Sequence, residues 1–471
     1  MRKLGNKKKI SLNGINTVAF FNILGPVILN GINFFTTPIF TRLLGTESYG
    51  VVAIYTTWVQ VFTVIIGLQT AGTIATSIVY IKNDEQEKYQ SSILTLSMIS
   101  LLCISVLTII FIAPLSNFFE LSYQVIACML AQSFGSYLVN FAISVFTIKK
   151  EAHKTFLLSV ITTISTIALS LCLIYFVYKG DSAYLGRIIG MAIPNIVLGL
   201  LMLIIFLYKG KTFVSLKYWK FCLPLCIPLI FHGLSHIILS QIDKVMLQKY
   251  VDDSTVGIYS LIFTVAHLLN IIWGALNNTW IPFYFEDIKN NNLEAIKHKT
   301  KNYMFLYTGL TVGFILVSPE VIKFCASSDY WSGINLLPVM ALSMFMIFLY
   351  GFPVNFQFYY NNTKMISIGT MAAAAINFVL NALLIPKFGM MGAAVATLIS
   401  YIALFVFHEV IARYVIKAKY HYEIKMYIPF LLAVIISIGV FYTCGWIIRW
   451  ILAVFVGIAI LYRVIKNKSI F

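Results

Sequence analysis

The stretch SSILTLSMISLLCISVLTIIFIA, Ser91 to Ala113, carries no Asp, Glu, Lys or Arg. A helix needs about 20 apolar residues to cross the hydrocarbon core of a bilayer. With no water there to satisfy N–H and C=O groups, a spanning chain must be helical or a closed barrel. Barrel strands alternate polar and apolar positions over about 10 residues, and Ser91 to Ala113 keeps no such alternation. It reads as a membrane-crossing helix.

Similar runs fill the sequence on both sides. Before it lie Gly14 to Thr41 and Gly50 to Tyr80; after it come Tyr123 to Thr147, Thr155 to Tyr178, Tyr184 to Tyr208 and Phe221 to Gln248. The pattern continues through Gly257 to Phe285, Asn302 to Val317, Gly333 to Tyr359, Met365 to Ile385, Gly389 to Ile411, Met426 to Thr443 and Trp446 to Leu461. The expected fold class is an all-α integral membrane protein with about fourteen transmembrane helices. The first run is too long for a signal-peptide core and lacks a convincing cleavage site, so it reads as a retained span.

Only 11% of the 471 residues are charged and 60% are hydrophobic, far from the roughly one-quarter charged composition of a soluble domain. The net charge of +17 does not indicate nucleic acid, because the basic residues sit in short loops without a clustered patch or interleaved aromatics. They report topology. With the N-terminus inside, 26 of the 34 Lys and Arg fall in inner segments. Six fall outside (Arg42, Lys179, Lys249, Lys323, Lys387 and Arg449), and Arg187 and Lys244 lie within spans. Positive charge is retained on the cytoplasmic side, so both ends are expected in the cytoplasm and the chain in the plasma (inner) membrane. The seven Cys have no metal-ligand spacing, and Cys222 and Cys226, one turn apart, read as small apolar fillers.

No loop is long enough to fold as a soluble domain. The connection Lys209 to Lys220 separates six spans from six more, followed by two extra helices. The expected domains are an N-terminal lobe over 1–208, a second lobe over 221–417 and two additional helices over 426–465. Laying Phe35 to Gly72 over Ile242 to Thr279, an offset of 207, aligns Gly50 with Gly257, Thr57 with Thr264, Ile65 with Ile272 and Gly67 with Gly274. The same offset places Gln60, Thr63 and Thr70 on His267, Asn270 and Asn277, and an offset of 206 superposes Leu185-Gly186 on Met391-Gly392. Two equivalent lobes around a central cavity are a common transporter plan.

The candidate substrate residues lie on the first span of each lobe and on the matched polar positions that follow. In the seventh span His232, His236, Ser240 and Asp243 fall within about 80° of one another at 100° per residue. Ionisable residues inside a span usually face a bundle interior or a wet cavity. Lys244 points about 100° away from Asp243 and has a stem long enough to snorkel. The first span carries a matching face of Asn22, Pro26, Asn30, Asn33 and Thr37. Asn30 and Asn33 are suited to sugar hydroxyls and phosphate oxygens, or to bonds across helices. Arg42 and Arg187 have the guanidinium geometry for phosphate, with an anchoring role favoured for Arg187. The set is completed by Gln60, His267 and Asn270. Prolines 26, 224 and 228 suit helices that bend. Glu409 and Arg413 form an i, i+4 pair. Gly389, Ala393, Thr397 and Ser400 have helix-packing spacing. No nucleophile motif, phosphate-cradling loop or metal cluster is present in the sequence.

Three stretches carry a family resemblance: PLCIPLIFHGLSHIILSQIDKVML (Pro224 to Leu247), VGIYSLIF (Val256 to Phe263) and NALLIPKFGMMGAAVATLISY (Asn381 to Tyr401). With the number and spacing of the spans, they resemble the polysaccharide and oligosaccharide flippases of the multidrug/oligosaccharidyl-lipid/polysaccharide exporter superfamily. The resemblance implies two six-helix lobes about a V-shaped cavity, two further C-terminal helices and alternating access. The cargo it implies is an undecaprenyl-diphosphate-linked oligosaccharide carried to the outer leaflet for capsule, exopolysaccharide or O-antigen-type glycan assembly. The expected partners are that substrate, membrane lipids and glycan-assembly proteins. No cofactor is expected, and coupling to a H+ or Na+ gradient is compatible with the polar faces. A drug/cation antiporter of the same superfamily is the first rival, although the first span has no acidic residue for coupling. A membrane glycan polymerase or glycosyltransferase would favour a large outer loop or an acidic catalytic cluster, and a scaffold would not need duplicated polar faces.

Overall fold

In the computed structural model the described residues are 12–416 and 422–467, with side chains described at 29, 31–416 and 422–466. The helices are α1 (Leu12–Gly67), α2 (Ile74–Tyr80), α3 (Gln86–Ile110), α4 (Ile112–Phe119), α5 (Tyr123–Ile148), α6 (Ala152–Phe176) and α7 (Ala183–Gly210). They continue with α8 (Leu216–Tyr250), α9 (Asp253–Lys289), α10 (Leu293–Cys325), α11 (Leu337–Tyr359), α12 (Thr363–Val410), α13 (Ile424–Thr443) and α14 (Trp446–Asn467). Twelve helical segments among the described residues are long and apolar enough to cross a membrane.

Two of those segments account for the difference from fourteen. Helix α1 contains Gly45 at φ 68°, and α12 contains Gly389 at φ 53°. Glycine takes positive φ without the Cβ penalty of other residues, so each helix is broken at one residue and resumes after it. At 1.5 Å per residue neither helix could be a single crossing. Each holds two spans, divided where the sequence places its breaks.

The second expected span is not one helix to Tyr80. Leu68 and Gln69 are both in the left-handed region, and Thr70–Thr73 form a 3-10 turn before α2. Tertiary bonds hold the break. Thr70 Oγ1 lies 2.6 Å from Tyr137 Oη and Thr73 Oγ1 lies 2.6 Å from Tyr89 Oη. Gly67 makes room for the Tyr137 ring, which a Cβ there would meet at 2.2 Å.

The chain forms two compact units, one made of the chain up to Thr36 with Trp58–Gly233, the other of Thr37–Thr57 with Leu234–Phe471. In the first, α5 and α7 approach through facing glycines: a Cβ at Gly135 would lie 2.6 Å from the Asn195 carbonyl oxygen, and one at Gly199 2.6 Å from that of Gly135. Such close backbone approach is how membrane helices gain packing without a hydrophobic driving force. Ser97 Oγ donates to Tyr137 Oη at 2.7 Å, so this core is joined by neutral hydroxyls.

In the second unit Trp280, Tyr303, Tyr307, Phe345 and Phe348 are fully buried. Tyr307 and Phe348 stack with centroids 4.2 Å apart. Arg413 Nε donates to Glu409 Oε1 at 2.9 Å, the structural bridge their spacing suggests. The aligned pair Gly50 and Gly257 touch. A Cβ on Gly50 would lie 1.8 Å from the Asp253 carbonyl oxygen, and one on Gly257 1.9 Å from that of Thr46. Thr46 and Asp253 are themselves 207 positions apart, so each segment presents the same turn to the other's glycine.

Candidate transport site

Asp243 sits in the second half of α8 and is 2% exposed. A carboxylate buried to that degree is costly unless its oxygens are bonded. Its Oδ1 accepts the backbone N–H of Lys244 at 2.9 Å, and its Oδ2 accepts the hydroxyl of Tyr259 on α9. Thr397 and Tyr401, one turn apart after the Gly389 turn of α12, lie near that same tyrosine. Thr397 Oγ1 also accepts from Asn377 Nδ2 at 3.4 Å, and Asn377 Oδ1 accepts from Asn381 Nδ2 at 3.0 Å. The Oδ1 of Asn381 is buried with no hydrogen-bond partner among the described residues. A carboxylate, two hydroxyls and two amides thus join α8, α9 and both halves of α12.

Lys244 does not snorkel. It is 8% exposed, its Nζ donates to Gln241 Oε1 at 2.7 Å, and it stands 5.2 Å from the centre of the Phe263 ring. Phe263 stacks on the His267 ring at 5.7 Å, and His267 Nε2 lies 3.0 Å from Asn270 Nδ2. Asn270 Oδ1 is buried without a hydrogen-bond partner among the described residues. His236 is exposed and lies within electrostatic reach of His267. Ser240 Oγ donates to the His236 carbonyl at 2.8 Å.

The structure therefore gathers His236, Ser240, Asp243, Lys244, His267 and Asn270 in the second unit. Thr37 is also there, buried, with its carbonyl accepting Thr41 Oγ1 at 3.1 Å. Arg42 is exposed and donates to the Phe324 carbonyl at 3.1 Å. In the first unit Asn33 and Gln60 are exposed, and His232 Nδ1 is buried without a hydrogen-bond partner among the described residues. Arg187 Nη1 donates to Ser170 Oγ at 3.0 Å. Asn22, Pro26 and Asn30 lie outside the residues whose side chains are described. Helix α8 runs through Pro224 and Pro228 without interruption.

Sequence reasoning did not single out Tyr259, Asn377 and Gln241. It read Thr397 as packing and Asn381 only as part of a family stretch. The i, i+4 pair Asn377 and Asn381 on an otherwise apolar helix was the available signal.

A family model described as polysaccharide biosynthesis protein matches residues 18–289, more than half of the chain. A membrane protein of Haemophilus influenzae is 24% identical over 362 residues, covering 75% of this chain and 86% of its own. A second protein of that organism, Lsg locus putative protein 1, is 24% identical over 361 residues, covering 73% and 85%. Among solved structures, the lipid II flippase MurJ in an inward closed conformation superposes with a TM-score of 0.72 at 16% identity, over 96% of this chain and 99% of that one. An inward-facing multidrug resistance MATE transporter of the MOP superfamily gives 0.60 at 16% identity, over 83% and 96%. The chain is a multi-pass membrane protein that belongs to the polysaccharide biosynthesis protein family and has a fold like those of MurJ and the MATE transporter.

Proposed function

We propose that the protein is a flippase that carries an undecaprenyl-diphosphate-linked oligosaccharide from the inner to the outer leaflet by alternating access, within a glycan-assembly pathway. The observation that supports this most is the Asp243–Tyr259 pair and its polar surroundings, buried in an apolar helical bundle of a polysaccharide biosynthesis family member. A packed scaffold does not need an ionisable group there, whereas a transporter needs an element whose equilibrium a ligand or ion can bias. Asp243 is the group we assign to coupling. Its carboxylate can take a proton, or with the nearby amide and hydroxyl oxygens hold Na+, a hard cation suited to oxygen donors. Asn33 and Gln60 in the first unit, and separately His236 and Ser240 in the second, are assigned to contact with sugar or diphosphate. The charge count supports a plasma-membrane orientation with both ends in the cytoplasm.

Reconstitution into proteoliposomes with a lipid-linked oligosaccharide tests the reading directly. Protein-dependent appearance of the glycan in the opposite leaflet, accelerated by a H+ or Na+ gradient, is the expected result. Translocation at the rate of empty vesicles, together with drug efflux by the same preparation, would transfer the assignment to a drug/cation antiporter. The orientation has a separate test. A cysteine at Lys211, in a variant lacking the native cysteines, should be silent to an impermeant thiol reagent in intact cells while one at Lys179 reacts.

A further inference from the structure

Away from Asp243, the second unit carries a cavity of about 430 Å³ at one end of α10, α13 and α14. Lys297, Lys301, Lys425 and Arg463 line it, with Glu423 the acidic residue among them. The three lysines are exposed, and none of them is in an ion pair among the described residues. Arg463 is held in place. Its Nη2 and Nε donate to Asn302 Oδ1 at 3.0 and 3.3 Å, and its guanidinium lies 4.4 Å from the centre of the Phe305 ring. A preorganised fork of this kind suits a phosphate.

Along α10 and α14 runs an apolar groove of about 410 Å³, between Gly309, Gly313 and Val317 of α10 and Val454, Gly457 and Ile460 of α14. It is open at Gly313 and Gly457, where a Cβ would meet nothing within 4 Å, whereas a Cβ at Gly309 would meet Ile460 Cδ1 at 2.6 Å. The groove begins about 12 Å along the axis from Lys301, within the reach of a chain filling one leaflet, about 15 Å. Retention of lysines on one side of the membrane explains their presence at this end. It does not explain their convergence on a cavity aligned with an apolar groove.

We infer that α10, α13 and α14 form a binding site for an anionic glycerophospholipid, its phosphate among Lys297, Lys301, Lys425 and Arg463 and one acyl chain along the Gly313–Gly457 groove. Net positive charge selects an anionic headgroup over a zwitterionic one, and the groove requires the phosphate to carry a chain. Basic pockets between membrane helices bind anionic headgroups by this chemistry.

The test is native mass spectrometry of the full chain, purified in mild detergent and incubated with equal phosphatidylglycerol and phosphatidylethanolamine. The wild type should retain phosphatidylglycerol preferentially. Each of Lys297→Gln, Lys301→Gln and Lys425→Gln should weaken that preference by roughly fivefold, from about 1 kcal/mol per basic residue near the surface. Gly313→Leu, whose side chain enters the open groove, should abolish retention at unchanged melting temperature and leave the lysines in place. Undiminished preference in the triple lysine variant would overturn the site. So would retention of a polyprenyl phosphate in preference to phosphatidylglycerol from an equal mixture, or a dimer in which Gly313→Leu disrupts subunit contact and leaves lipid retention intact.

Discussion

Thr36 and Thr37 stand 207 positions before Asp243 and Lys244, and Gln60 and Thr63 stand the same distance before His267 and Asn270. At these matched places the first copy of the repeat is neutral, and the second carries an acid, a base and an imidazole. The buried polar groups follow the same division. Tyr137, Thr70 and Ser97 join hydroxyl to hydroxyl in the first unit, while Tyr259 in the second closes on a carboxylate. A hydroxyl network can fix a helix break but cannot change its charge. A carboxylate can, by taking up a proton or a cation. The two aligned segments share the glycine contact, and at these matched places only the second carries ionisable side chains.

If the architecture is common, its shared contact should be equally intolerant from either side. Gly50→Ala and Gly257→Ala each drive a methyl into a backbone carbonyl, and overpacking of that kind should cost about 3 kcal/mol or more. Thermal unfolding in detergent should show two comparable losses; one harmless substitution would break the equivalence. The chemical difference is sharpened by a matched pair. Asp243→Asn should lower transport at least about tenfold, some 1.4 kcal/mol of barrier, at unchanged membrane abundance. Thr36→Val should leave the rate within about twofold, the scale of a lost exposed hydrogen bond. Parallel losses of activity and abundance in Asp243→Asn would return that residue to a structural role.

A smaller effect separates packing from transport in the first unit. Tyr137→Phe removes the bonds to Ser97 and Thr70 and should cost about 1–2 kcal/mol of stability, with transport per folded molecule unchanged. A fall in that turnover would mean the hydroxyl network shares in the transport cycle. At the low end, Lys217 Nζ is 2.8 Å from Glu85 Oε2 on an exposed surface. Lys217→Ala should leave the melting temperature unmoved, since exposed ion pairs contribute little.

Most of the fold was legible because a bilayer imposes one rule on long apolar runs. The turns at Gly45 and Gly389 were readable as polar or glycine-bearing breaks, and the backbone is non-helical at each glycine. The break at Leu68–Thr73 was not. Its residues are neutral, and what fixes it are tyrosines on α3 and α5. Asp243 and Lys244 stood out as charges in an apolar span. Their partners did not, because a hydroxyl such as that of Tyr259 looks the same in sequence whether it faces lipid or donates to a carboxylate on another helix. Burial of Lys244 was likewise hidden, since snorkelling and bonding to Gln241 use the same stem and differ only in what surrounds it.

The touching glycines have one more consequence. Where Thr46–Gly50 meets Asp253–Gly257, a segment meets the one it aligns with, and the contact is isologous in the sense used for two-fold dimers, with the covalent chain standing in for the second subunit. In a homodimer one mutation would change both sides at once. Here the sides are encoded separately and can drift apart: Thr46 is matched by Asp253 and Glu47 by Ser254, so the 2.7 Å bond between the Thr46 and Ser254 hydroxyls has no like counterpart between Glu47 and Asp253. The glycines have no such latitude, because each is required by the other's backbone. Across chains that keep this pair of segments, the two positions should be lost or kept together, and a chain that replaced one would need to reseat the other helix before it could fold.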